Sequence, residues 1–307
     1  MKATTHTEVY RRFSGRLRPA RRAFLPIAAS GIRVALASRW PRLLFLPTVI
    51  TTIVFAFIVY AKFSLEQGVT PGALAGPEQQ AGVAMVGSMA GRLIEVRDLV
   101  VGAIFVLGLF SVLLASWYGA GLVCEDRRVG AHLLYFSRPL SKTNYLLGKL
   151  CVVSAFVLAG VIVPGLVVFL VAVFTAPGWT FLREHGWLFV QILAYSLLHT
   201  LVLSSIVLAI STLASRRIFA LIGAVGFFLF AQVLGMLLAF MQKEPSWLAL
   251  GPLANLRRVA AHVFGVERVA GFRLNWAPEL SWWALAGTLV VAWCVLVLRV
   301  RRMEAAL

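Results

Sequence analysis

Two groups of residues in this sequence have types and spacings that suit chemistry. Glu125, Asp126, Arg127 and Arg128 put both signs of charge within one helical turn, which suits ion pairing with another protein surface. Gln191, Tyr195 and His199 recur at i, i+4 and i+8, one face of a helix, inside an uncharged run that also holds Ser204 and Ser205; Gln232 lies in the next such run. Polar side chains in such runs either line a path or hydrogen-bond neighbouring helices, and the second reading is the simpler one. Neither group comes with a nucleophile beside a base, the outer acidic residues Glu244, Glu267 and Glu279 form no catalytic motif, and no second His or Cys stands at ligand spacing from His199. No catalytic residue and no metal ligand is therefore assigned.

The elements that hold these residues follow from composition. Of 307 residues, 60% are hydrophobic and only 13% charged, with mean hydropathy +0.88, far from a soluble domain. Six windows contain no Asp, Glu, Lys or Arg: Leu43–Ala61, Leu99–Cys124, Leu150–Leu182, His185–Ser215, Ile218–Gln242 and Leu280–Leu298. About 20 apolar residues cross a bilayer as a helix, so each window suffices. The expected fold class is an all-α integral membrane protein with six spans at about 43–62, 99–119, 150–174, 187–213, 218–240 and 281–298. A β-barrel would need short alternating strands, which these windows are not. Cys124, Cys151 and Cys294 are odd in number and lack metal-ligand spacing, so they read as packing residues rather than a disulfide frame.

Charge sets the orientation. With the N-terminus inside, cytoplasmic segments hold 20 of the 29 Lys and Arg but 4 of the 12 acidic residues, so both termini are expected in the cytoplasm. The net charge of +17 is then a topology signal, and nucleic acid is not an expected partner. Residues 1–42 lack the apolar core of a cleaved signal peptide. Within them, Pro26–Arg42 interleaves Ile27, Ile32, Val34 and Leu36 with Arg33, Arg39 and Arg42, as an amphipathic helix on the membrane surface would. Residues 43–307 form a single transmembrane domain. Its outer segment, 241–279, carries an apolar stretch, Trp247–Leu256, too short to span and broken at Gly251-Pro252, which suits a half-inserted or surface-lying helical pair. Arg257 and Arg258 beside it are expected on a solvated face.

The longest cytoplasmic connection, 125–149, reads EDRRVGAHLLYFSRPLSKTNYLLGK. Val129, Leu133, Leu134 and Phe136 add an apolar face at near-helical spacing, and Pro139 should break that short helix at Ser137–Pro139. Ser141 or Thr143 can cap a new helix carrying Tyr145, Gly148 and Lys149 directly into the third span. The string Glu125-Asp126-Arg127, Gly130, Leu134-Tyr135, Ser137-Arg138-Pro139-Leu140, Tyr145 and Gly148-Lys149 resembles the permease subunits of ABC-2 type ATP-binding-cassette transporters, in particular the branch associated with multicopper enzyme maturation. The six-span layout and the amphipathic N-terminal helix are similar too.

The resemblance implies an ABC-2, type V exporter-like fold in the inner (cytoplasmic) membrane. It implies that Glu125, Asp126, Arg127, Gly130, Ser137, Arg138 and Pro139 form a coupling elbow that meets a separate ABC-type ATPase. It also implies a dimer with a second permease copy or homologue. The chain lacks a G-x-x-x-x-G-K-[ST] phosphate loop, so ATP and Mg belong to the ATPase partner and no cofactor is expected on this chain. Gln191, His199 and Gln232 remain candidates for a pathway or for helix packing. Two other readings stay open: a subunit that relays motion without passing cargo, and a membrane-embedded enzyme acting on lipid-linked substrates.

Overall fold

The structure is a computed structural model that describes residues 24–37, 43–66, 96–131, 141–176, 178–266, 268–269, 272–273 and 275–304. The uncharged windows fold as helices because only a helix pairs every backbone N–H and C=O within one segment. In chain order the described α-helices, these among them, are α1 (Phe24–Ala37), α2 (Leu46–Glu66), α3 (Val96–Gly119), α4 (Gly121–Arg128), α5 (Lys142–Thr175), α6 (Thr180–Leu213), α7 (Arg217–Gln242), α8 (Pro252–Phe264) and α9 (Pro278–Glu304). A 3-10 turn, Pro245–Leu250, precedes α8, and a two-residue antiparallel pairing, β1 (Arg268–Val269) with β2 (Phe272–Arg273), follows it. Among the described residues six helices are long and apolar enough to cross a membrane, the make-up of a multi-pass membrane protein.

Burial sorts these six into an inner and an outer set. Within an apolar 18-residue stretch of each span, 72% of residues are buried in α6, 56% in α3–α4 and 50% in α5, against 22% in α2, 17% in α7 and 22% in α9. The inner helices therefore pack on protein, while the outer ones turn side chains such as Ile53, Phe57, Ile222, Phe230, Val290 and Val291 outward. The α5 helix is central, touching α1, α2, α3 and α6. With 34 residues it is about 51 Å long, well beyond a bilayer's hydrocarbon, so its first turns project past the spans. Its start is fixed as expected from the sequence: the Ser141 side chain accepts the Asn144 amide at 3.3 Å. The helix runs through Pro164 without interruption.

Two ends can be told apart by their cores. At the elbow end, Val123, Tyr145, Leu146, Leu208, Leu296 and Val300 pack together, so the last turns of α9 meet the first turns of α5. Helix α1 lies at this end too, against α5, and Gly148 makes that contact possible. A Cβ there would stand 2.8 Å from Ile27 Cβ and 3.2 Å from the Phe24 carbonyl oxygen. At the far end Val59, Phe63, Val96, Val100, Phe181 and Phe264 form the core.

The outer segment resolves into the 3-10 turn and α8, divided at Gly251-Pro252. Gly251 caps α8, Pro252 occupies its first turn, and Gly265 at φ 68° ends it. Leu253 and Leu256 reach the middle core with Val112, Val157 and Val202, whereas Phe264 joins the far core, so α8 is wedged into the bundle. This overturns the expected solvated face for Arg257 and Arg258. The Arg257 guanidinium lies 4.0 Å from the Phe105 ring centroid, and Arg258 Nε donates to the Trp276 carbonyl at 2.7 Å. With nine of thirteen α8 residues buried, the helix has too little solvent-facing surface to leave both stems in water.

Candidate coupling elbow

Helices α3 and α4 are separated at Ala120, whose methyl cannot cap the free amides of α4. Another helix supplies the cap. Ser211 Oγ of α6 accepts from the Val123 and Cys124 amides at 3.3 and 3.4 Å and donates to the Ala120 carbonyl at 2.7 Å. Four residues on, Arg127 returns the service: its guanidinium donates to the Thr212 and Ala214 carbonyls at 3.0 and 2.6 Å. Those carbonyls end α6, where a helix leaves its acceptors unpaired and its dipole favours a cation. The α4 segment is thus stitched at both ends to the α6 terminus.

Asp126 makes the corresponding tie to α5. Its carboxylate pairs with Lys149 Nζ at 2.7 Å and accepts the Tyr145 hydroxyl at 2.8 Å. Tyr145 is fully buried, and Lys149 sits 5.7 Å over its ring. A charge pair this far from water holds only with well-placed hydrogen bonds, and the Tyr145 hydroxyl supplies one. The sequence pattern thus brings Asp126, Tyr145 and Lys149 together, and Arg127 onto α6.

Glu125 is half-buried and lines a cavity, whereas Arg128 and Val129 are exposed. Gly130 takes φ 71°, ending α4 two residues after Arg128. Val129 caps α4, and Leu133, Leu134 and Phe136, which carry the rest of the expected apolar face, lie outside the described residues. Ser137, Arg138 and Pro139, with the expected break there, lie outside the described residues.

Two of the intramembrane polar residues, Gln191 and His199, bond neighbouring helices. Gln191 Nε2 donates to the Val263 carbonyl of α8 at 2.6 Å. His199 stands between Tyr195, whose hydroxyl is 3.3 Å from Nδ1, and Ser111, whose Oγ is 2.7 Å from Nε2. Ser111 Oγ also lies 2.7 Å from the Gly108 carbonyl, to which it can donate, so Ser111 and His199 join α3 to α6 through one short polar chain. The cavity beside these residues holds about 10 Å³, the room of one water. Gln232 lies against Gly251, and its Oε1 is buried with no partner among the described residues. Ser111 and Ser211 escaped the sequence reading, because one serine in an apolar run has no pattern to mark it.

The elbow, its ties and α8 fall within a stretch that can be compared with known proteins. The family described as a protein of unknown function, DUF2705, matches residues 84–306. The chain belongs to the DUF2705 family. The DUF2705 match takes in α3 to α9 and leaves α1 and α2 before it. No curated protein matches the chain.

Proposed function

We propose that this DUF2705 protein is the transmembrane permease subunit of an ABC transporter in the inner membrane. It pairs with a second permease copy or homologue and couples ATP hydrolysis, carried out with Mg by separate ATPase subunits, to export or translocation. The observation that carries the reading is the wiring of the elbow. Asp126 bonds α5 and Arg127 bonds α6, so a displacement of α4 is passed to the two longest inner helices rather than absorbed in a loop. Rigid elements joined by charge-assisted bonds can follow a docked partner as one body. Exposed Arg128 and Val129 beside them offer a cation and an apolar knob to an ATPase cleft.

The test is to purify the tagged chain from its native membrane in mild detergent with its stoichiometric partners. Wild type is expected to bring an ATPase of the ATP-binding-cassette type. Arg128→Glu with Val129→Asp is expected to lose it while keeping the same melting behaviour. Undiminished ATPase recovery by that stable variant would remove the docking assignment. A second reading, relay of motion to another membrane protein without passage of cargo, is favoured by one observation. Gln191 and His199 are engaged between helices rather than facing a path within this subunit.

A further inference from the structure

At the elbow end, between α1 and the bundle, lies an open cavity of about 650 Å³. Its lining divides by chemistry. Ile27, Val34 and Ala35 of α1 and Val152 of α5 make an apolar wall, while Glu125 and Arg217 are charged. Asp126 and Lys149 also border it but neutralise one another at 2.7 Å. Glu125 and Arg217 do not form an ion pair among the described residues. They flank Gly121, at which a Cβ would stand 3.2 Å from Glu125 Oε2 and 3.3 Å from Arg217 Cδ. The Arg217 guanidinium stacks 5.2 Å from the Trp117 ring centroid and makes one long bond, 3.4 Å, to the Trp117 carbonyl. Most of its donors are left for something else.

The depth of the cavity identifies what meets it. Glu125 is the first charge after the uncharged window ending at Cys124, and Arg217 the last before the window beginning at Ile218. Both therefore stand where hydrocarbon gives way to headgroups. We propose that the cavity binds one phospholipid with a zwitterionic headgroup, phosphatidylethanolamine. Its phosphate is held by Arg217, its ammonium by Glu125, and its chains run along the apolar wall of α1 and α5. One available cation and one available anion match one phosphate and one amine. An anionic lipid such as phosphatidylglycerol satisfies Arg217 but leaves the Glu125 carboxylate without a counter-charge. A water-soluble zwitterion would have no use for the apolar wall. The inference goes beyond the transporter reading and does not depend on it, since it concerns a lipid ligand and not a protein partner.

The experiment is native mass spectrometry of the full chain, delipidated in detergent and offered phosphatidylethanolamine and phosphatidylglycerol at equal concentration. Wild type is expected to retain one phosphatidylethanolamine after other lipids are stripped. The expected preference over phosphatidylglycerol is about tenfold, the effect of one charge-assisted hydrogen bond. Glu125→Gln should bring that ratio close to one. Arg217→Gln should lose the retained lipid of either kind, as should Ala35→Trp, which fills the cavity from α1 without touching a charge. Equal retention of the two lipids by wild type would overturn the proposal. So would phosphatidylethanolamine retention that survives both Arg217→Gln and Ala35→Trp.

Discussion

Replacing Lys149 by Met keeps most of the aliphatic stem but takes the ammonium away from Asp126. The two side chains are 10% and 17% exposed, so the pair is largely out of water and solvent cannot repair the loss. Breaking one partner of a buried pair costs 3–5 kcal/mol; the residual exposure here puts Lys149→Met near the lower end, about 3 kcal/mol. Tyr145→Phe removes one hydrogen bond to a carboxylate and should cost about 2 kcal/mol. Asp126→Asn combined with Lys149→Met removes both charges, so its cost should fall short of the sum of the single variants by about 1.5 kcal/mol or more. The assay is equilibrium unfolding of the purified chain in mixed micelles of increasing denaturing detergent, with all four variants in one series. If Lys149→Met and Asp126→Asn each fell within about 0.5 kcal/mol of wild type, or if their effects simply added, the tie between α4 and α5 would not be holding the elbow.

Gly130→Ala forces a β-carbon into the left-handed region and should destabilise by about 1 kcal/mol; hydrogen exchange should quicken at the end of α4 and stay unchanged within α6. Ser111→Ala removes the hydrogen-bond partner of His199 Nε2 inside the bundle. Its expected cost is about 1–3 kcal/mol in the same unfolding series, with no effect on the copurification of partners.

The spans were legible because lack of charge over 19 residues or more is a long-range signal that local context cannot reverse. Ser141 as the start of α5 was legible for the opposite reason: a cap is a local device, read from a few neighbours. The division of the outer segment at Gly251-Pro252 belongs to the same kind. What escaped is non-local. Ser211 caps α4 from 91 residues away, measured to its bond with Ala120, and nothing around Ala120 announces that a cap will come from elsewhere. The inward direction of Asp126 and Arg127 was equally hidden. A charged turn at a span end reads the same whether its side chains meet a partner, water or the last carbonyls of α6. Arg257 misled because a cation beside a broken apolar stretch is usually solvated, and only the wedging of α8 into the bundle sets it over Phe105. Gly130 stands within the family-like string, yet its physical role, ending α4 with positive φ, is visible only in the backbone.

The most direct test of the coupling role places a photo-crosslinking amino acid at Val129, whose side chain is 67% exposed at the tip of α4 and takes no part in the side-chain bonds that tie the elbow. Irradiation of native membranes is expected to join this chain to an ABC-type ATPase subunit, with a yield that changes when ATP is trapped on the enzyme. Crosslinks confined to lipid or to this chain, from a variant that melts like wild type, would contradict an ATPase docked at the elbow.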